Sequence, residues 1–457
     1  MLLHQKNKTI LLSILSVLFY FLMAHFLDRS NFTQLITQYF ILFIPFLYFI
    51  KKEKNNFTFL VAIAIIFRLI FLTAIPNLSQ DFYRFIWDGR MILKGFNPYL
   101  HLPETFINQG NSPINQATDL YSGMGALNGS HYTNYPPINQ LNFFIAAIVA
   151  NSSIIGSIIV LRLQIILADI GIIYFGKKIL EKLKLPIHNI FLYALNPFII
   201  IELTGNLHFE SVMLFFLIWS LYLLLQKKWS LAALTFGLSV SVKLIPLLFI
   251  PLFYQWFTKE NRTKGVLKFL SFGCIIMIVN ILLFLPFLSS NLLNNYLDSI
   301  GLWFQKFEFN ASLYYIARAL GTLFRGYNEI AIIGKITPIV VVIFLLIITF
   351  FRKNKSPQQL ITALLMGISF YYFTTTTMHP WYLATLVILS VFTNYRFPIV
   401  WSLVIVLSYQ AYANIPWKEN SWFMVLEYLV VYGYLFWEII QQKRSSLSIK
   451  LPNINSL

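Results

Sequence analysis

Cysteine is almost missing from this chain of 457 residues: Cys274 is the only one. It lies inside an apolar run, so neither a disulfide framework nor a cysteine-based metal site can form within one chain. Charge is scarce too. Asp, Glu, Lys and Arg make up 11% of the residues, against about a quarter in a soluble globular domain, which excludes an ordinary water-soluble fold. His4, His25, His101, His131 and His188 show no clustered spacing that would hold a metal ion. No repeat of fixed period and no half-to-half match occurs, so the inverted repeats of many secondary transporters are not evident. Basic residues outnumber acidic ones by 34 to 17, but they scatter through short loops instead of forming one stripe. That distribution excludes a nucleic-acid partner.

What the chain does have is apolar length. Hydrophobic residues make up 58% and aromatic ones 18%, arranged in repeated runs that match the thickness of a bilayer's hydrocarbon core. The reading is an all-α, polytopic transmembrane helical bundle of about 13–14 spans, one integral-membrane domain over 1–457, in contact with membrane lipids. The candidate spans are 9–27, 33–50, 57–75, 154–176, 187–201, 208–226, 229–243, 245–257, 265–287, 330–351, 358–375, 381–393, 397–413 and 422–440. Lysine and arginine collect in short loops on the cytoplasmic side of membrane proteins. Lys6 and Lys8, Lys51 and Lys52, Lys177 to Lys184, Lys227 and Lys228, Arg352 and Lys353, and Lys443 and Arg444 can all share that side, with both termini cytoplasmic. Two demands follow. Segment 138–150 must be a re-entrant or interfacial helix, begun by Pro136 and Pro137. Segment 229–257 must be a hairpin of two short spans with Lys243 at its outer tip.

The outer side then holds a large first loop, 76–137, carrying interfacial helices, and a second loop, 288–329. Most carboxylates fall there, Asp81, Asp88, Glu202, Glu210 and Glu308 among them, which predicts an acidic, aromatic outer cavity. The densest stretch is SQDFYRFIWDGRMILKGFNPYL, Ser79 to Leu100. Asp81 and Asp88 are seven apart, so a helix would put both on one face, with Arg84 between them. Arg68, Arg162 and Asp169 are charges inside spans. Arg162 and Asp169 share a helix face, and the preferred reading is structural bracing, through a neighbouring helix or through Arg68, with a proton path as the sharper alternative.

The order of these features resembles the GT-C superfamily of integral-membrane glycosyltransferases, and within it the bacterial polyprenyl-phosphate-mannose-dependent mannosyltransferase-like branch. The matching pieces are DFYRFIWDGRMILKGFNPYL at 81–100, YPPINQ at 135–140, NPFIIIELTGNLHFES at 196–211, LSVSVKLIPLLFIP at 238–251 and MHPWYL at 378–383. The resemblance implies a multi-pass protein of the bacterial inner membrane. Its first large outer loop would carry the catalytic carboxylate, and a hexose, mannose for this branch, would pass from a polyprenyl-phosphate donor to an envelope glycan or glycolipid acceptor on the extracytoplasmic side.

Such a transfer needs a base for the acceptor hydroxyl and cations for the departing phosphate. Asp81 is the candidate base, with inversion at the anomeric carbon; its structural alternative is a helix N-cap beside Ser79. Asp88 would bind sugar hydroxyls or hold Arg84 or Arg90. Lys243 would grip the phosphate, because a lysine in an apolar segment is costly unless paired or facing water; snorkelling to headgroups is its bland alternative. Arg84, Arg90 and Arg318 could serve the same end. His208 and Glu210 flank the start of a span, and one of them would bind sugar or orient the base. His379, Trp381 and Tyr382 would form a stacking platform. No cofactor is required, although Asp81 with Glu202 or Glu210 could hold a divalent cation. The alternative function is a transporter or flippase of lipid-linked sugars, which would place its polar residues near the midplane; here they concentrate in outer loops.

Overall fold

The computed structural model describes residues 2–150, 152–305 and 307–448. Among these the architecture is all-helical, with one isolated β-bridge between Phe309 and Thr377. Six helices are long and apolar enough to cross a membrane: Gln5–Phe26, Phe32–Lys52, Ile154–Leu183, Arg262–Phe287, Ile330–Phe351 and Ser421–Arg444. Their outward positions are apolar, as at Ile332, Ile336, Ile339 and Ile343, which suits a surface facing lipid. The protein is therefore a polytopic membrane bundle. The expected 13–14 spans, several of them short, resolve into six long helices, one bent pair and several shorter apolar helices.

The bent pair replaces the predicted span 187–201. Ile187–Ala194 and Pro197–Gly205 meet at 50°, because Pro197 has no N–H to continue the first helix. Asn196 turns the chain instead, accepting a hydrogen bond from the Phe198 N–H. The second arm widens into a π-helix over Ile200–Gly205 and delivers the chain to a turn at Asn206 to Phe209, where Leu207 has φ +61°.

Eight helices open the chain. They are α1 (Leu2–Phe26), α2 (Phe32–Lys52), α3 (Phe57–Leu69), α4 (Asp81–Leu93), α5 (Pro103–Asn108), α6 (Ala117–Gly129), α7 (Pro137–Ala150) and α8 (Ile154–Leu183). The densest sequence stretch supplies α4, which packs against α6 and α7. The approach of α4 to α7 requires glycine at Gly89, where a Cβ would fall 2.2 Å from the Phe143 carbonyl oxygen. Proline at the first turn of α7 costs no hydrogen bond, since that N–H has no helical partner. The start of α7 is tied to the lysine-bearing hairpin by Ile138 N–H, which donates to the Ser241 carbonyl at 3.0 Å. In the hairpin itself, Trp229–Val240 forms the first arm and a 3-10 helix over Ile245–Phe253 begins the second.

The intramembrane charges are braces. Arg68 Nε meets Asp169 Oδ2 at 2.7 Å, both side chains about as buried as a core leucine, and Tyr193 donates to the other carboxylate oxygen at 2.9 Å. Among the described residues Arg162 pairs with no acid. Its fork donates to the carbonyls of Leu72, Thr204 and Gly205, holding the end of the π-helix that precedes the turn. Breaking a buried pair from one side strands the other charge, at about 3–5 kcal/mol. Asp169→Ala is therefore expected to lower unfolding stability by that amount in detergent, read by thermal or SDS denaturation, while an exposed control such as Lys182→Ala changes little.

Candidate active site

The loop from Ala74 to Gln80 is fixed from several sides before α4 begins. Asn77 donates to the carbonyls of Met23 and Leu27 at the end of α1. Leu78 N–H donates to the buried Asn206 side chain at 3.1 Å, and Gln80 donates to the Met124 carbonyl on α6. Asp81 is the first residue of the helix, and Gln80, not Asp81, occupies the cap position. The N-cap alternative for Asp81 is thereby replaced: its carboxylate makes no cap hydrogen bond and faces a cavity of about 440 Å³.

Asp81, Arg84, Lys243, His379, Trp381 and Tyr382 all line this cavity. Residues far apart in the chain thus converge, and the first loop and the hairpin tip share one chamber. Arg84 is buried, bonded through Nε to Asp88 at 2.8 Å and through Nη1 to the carbonyls of Asn128 and His131. Its Nη2 is buried and has no hydrogen-bond partner among the described residues. Lys243 forms a close ion pair with Glu210 and lies 5.9 Å from the centre of the Tyr382 ring. Glu210 opens the helix Glu210–Leu225, so His208 still lies in the preceding turn. That settles how two residues of one short segment serve one site: Glu210 holds Lys243, while the His208 ring stacks on Trp381 at 3.8 Å. On the other face of that indole lies His379, at 4.4 Å and nearly parallel.

Other expected site residues stand off the cavity wall. Asp88 shares the Asp81 face but sits two turns further along α4, about 10 Å away along the axis. There it is covered by Arg84 and accepts a hydrogen bond from Gln140. Of its two expected roles the structure shows the holding of Arg84, and sugar contact is closed to it. Arg90 donates to the Asn115 carbonyl and the Gln116 side chain, anchoring the loop before α6. Glu202 is enclosed in the bundle, where the Tyr409 hydroxyl bonds to both of its carboxylate oxygens. Arg318 pairs with Glu308. Among the described residues no group of three or more metal-binding side chains gathers, and Glu202 is not on the wall with Asp81.

The predicted acidic cavity is instead a basic one. Asp81 is the only carboxylate among its described lining residues, facing Arg84, Lys243 and Arg29. Four of the outer acids are held by partners instead: Asp88 by Arg84, Glu202 by Tyr409, Glu210 by Lys243 and Glu308 by Arg318. Sequence reasoning missed Arg29, Gln80, Tyr412 and Trp417, which also line the wall. Arg29 had a usable signal, since an arginine in the short α1–α2 connection departs from the expected charge bias of an outer loop.

Electrostatics single out Asp81. Burial pushes its carboxyl up to about 6, opposed by the Lys243 ammonium, reinforced by Glu210 and opposed again by a hydrogen bond from Asn128. The neighbouring histidines move the other way. Burial and the Arg84 charge take His131 down to about 4, burial and Lys243 take His379 down to about 3, and the same causes hold His208 well below the usual imidazole range. Near neutral pH these imidazoles are uncharged and weakly basic, so Asp81 is the group poised to accept a proton.

Comparison with curated proteins returns no match. A family model does match: that of the MptA_B family, the α-(1→6)-mannopyranosyltransferase N-terminal domain, over residues 19–259. That span is a little over half of the chain and contains Arg29, Asp81, Arg84, Glu210 and Lys243. The chain belongs to the MptA_B family of α-(1→6)-mannopyranosyltransferases, and is an integral-membrane mannosyltransferase.

Proposed function

We propose that this mannosyltransferase takes mannose from a polyprenyl-phosphate donor and transfers it to an envelope glycan or glycolipid acceptor on the extracytoplasmic side, with inversion at the anomeric carbon and Asp81 as general base. The carrying observation is that one raised-pKa carboxylate and three cations face each other across a single cavity. In the step, the acceptor hydroxyl oxygen attacks C1 of the mannose and the bond from C1 to the phosphate oxygen breaks. The bonding pair leaves with the polyprenyl phosphate, and the hydroxyl proton goes to Asp81. The departing phosphate gains negative charge, which the Lys243 and Arg84 cations on the cavity wall stabilise where they stand. Retention by double displacement would need a second carboxylate about 5–5.5 Å from the first; Asp81 is alone among the described lining residues.

Sidedness is supported by the long helices. Lys51 and Lys52 close α2, whereas Arg29, on the cavity wall, precedes its first turn. A helix of that length spans about 30 Å, so the cavity lies at the end of the bundle opposite this lysine cluster. The flippase alternative loses its motivation, because Arg68, Arg162 and Asp169 are occupied with one another or with backbone carbonyls.

Activity should follow the ionised form of Asp81. A raised carboxyl pKa keeps the proton on to higher pH, so base is available above about 6 and lost below it. The acid limb of kcat/KM is therefore expected at about that pH, falling about tenfold per pH unit beneath it. A profile flat down to pH 4.5 would contradict the assignment. The functional reading itself is tested in proteoliposomes given either polyprenyl-phosphate [14C]mannose or GDP-[14C]mannose with a mannoside acceptor. Label should enter an α-(1→6) product from the lipid donor alone; transfer from the nucleotide donor would overturn the reading.

A further inference from the structure

The cavity wall carries two chemically different groups of side chains. Lys243, near the Tyr382 ring, is followed in the chain by the apolar Leu244 and Ile245. A second group, polar and aromatic, is formed by Arg29, Gln80, Tyr412 and Trp417, with Arg29 touching both Gln80 and Tyr412. Asp81 stands between them in electrostatic terms: Lys243 is the strongest charge acting on it, and both Asp81 and Arg29 act on the Tyr412 hydroxyl.

The polar group is built rather than incidental. The Arg29 guanidinium lies over the Tyr412 ring at 4.9 Å, a contact that fixes its plane. One of its nitrogens approaches Gln80 Oε1 at 3.5 Å, and the rest of the fork forms no protein hydrogen bond among the described residues. Gln80 is held in turn by the Met124 carbonyl at 2.9 Å, and it immediately precedes Asp81. Trp417 presents an indole that is 46% exposed on the cavity wall, backed by Phe309 at 6.1 Å. A flat, half-exposed aromatic face beside planar hydrogen-bonding side chains suits a ligand with an apolar face and a rim of neutral hydroxyls.

We propose that Arg29, Gln80, Tyr412 and Trp417 form the subsite of the acceptor sugar, which binds a neutral pyranose by its hydroxyls and its C–H face and presents a primary hydroxyl to Asp81. The proposal rests on the functional reading above, and divides its cavity: the donor phosphate and the first part of its lipid by Lys243, the acceptor saccharide by Arg29. The Arg29 guanidinium is then directed at the acceptor hydroxyls.

The test uses the full-length protein in lipid nanodiscs with polyprenyl-phosphate [14C]mannose as donor and octyl α-D-mannopyranoside as acceptor. Arg29→Ala and Trp417→Ala are expected to raise the acceptor KM at least tenfold with the donor KM within twofold, and Trp417→Phe to return the acceptor KM to within threefold of wild type. An unchanged acceptor KM, or a rise confined to the donor KM, overturns the proposal. A second readout needs no donor. Octyl α-mannoside should quench indole emission in the wild type, and Trp417→Phe should abolish that saturable quench while leaving the melting temperature unchanged. Equal quenching in both proteins overturns the subsite even if the lipid donor proves wrong, whereas normal quenching without transfer from the lipid donor refutes only the functional reading.

Discussion

Replacing Asp81 by Asn is expected to lower the transfer rate by about 10³-fold, within the range for loss of a general base, without loss of folded protein or of donor binding. The carboxamide keeps the shape of the side chain and cannot take the acceptor proton. No neighbour can substitute, because burial makes His131, His208 and His379 weak bases. The fold should tolerate the change: Lys243 keeps its ion pair with Glu210, and Asp81 supplies no helix cap. The check is single-turnover transfer beside equilibrium binding of the donor lipid. A variant within tenfold of wild type would remove Asp81 from the role of base. A variant that no longer binds donor would make Asp81 part of the donor site instead.

Lys243→Met is expected to cost about 10²–10³-fold in rate, the usual loss for one donor aimed at developing negative charge, and to destabilise the protein as well. Glu210 is 3% exposed and among the described residues has only this cation, so its charge would be left buried and unpaired, at a cost of up to about 3–5 kcal/mol. The two effects separate in the double variant Lys243→Met with Glu210→Gln. Neutralising the acid should restore the melting temperature, and transfer should stay low. Recovery of activity with stability would mean that Lys243 only braces the hairpin. The single variant should also move the acid limb of kcat/KM to higher pH, because the Lys243 charge opposes the rise in the Asp81 pKa.

How far the chain could be read beforehand depended on which physical rule governed each residue. Span positions followed from hydropathy, and helices occupy each expected segment. The break at Asn196–Pro197 carries a sequence signal as well, a proline set inside an apolar run. Asp81, Lys243, His379, Trp381 and Tyr382 stood out as polar or amphipathic groups at the ends of apolar segments, and all of them reach the cavity. Asp88 shows the limit of periodicity: a spacing of seven specifies the face of α4 but not the depth along it, and Arg84 lies between Asp88 and the chamber. The sign of the cavity charge could not be read, since it depends on which acids find partners across the fold, such as Glu202 with Tyr409 and Glu308 with Arg318. Trp417 and Tyr412 were indistinguishable in sequence from the aromatic residues that line any membrane interface.

The most direct test of the shared chamber is cysteine accessibility from a single side. In a Cys274→Ser background, cysteines placed at Asn134 and Trp417, on the cavity wall, and at Lys52, at the far end of α2, would be challenged with an impermeant maleimide in right-side-out and inverted vesicles. Positions 134 and 417 should react only in right-side-out vesicles, with position 52 reacting only in inverted ones. Reaction of 134 and 417 from opposite faces, or of both from the face that exposes 52, would contradict an outward cavity in which base and phosphate-binding cations meet.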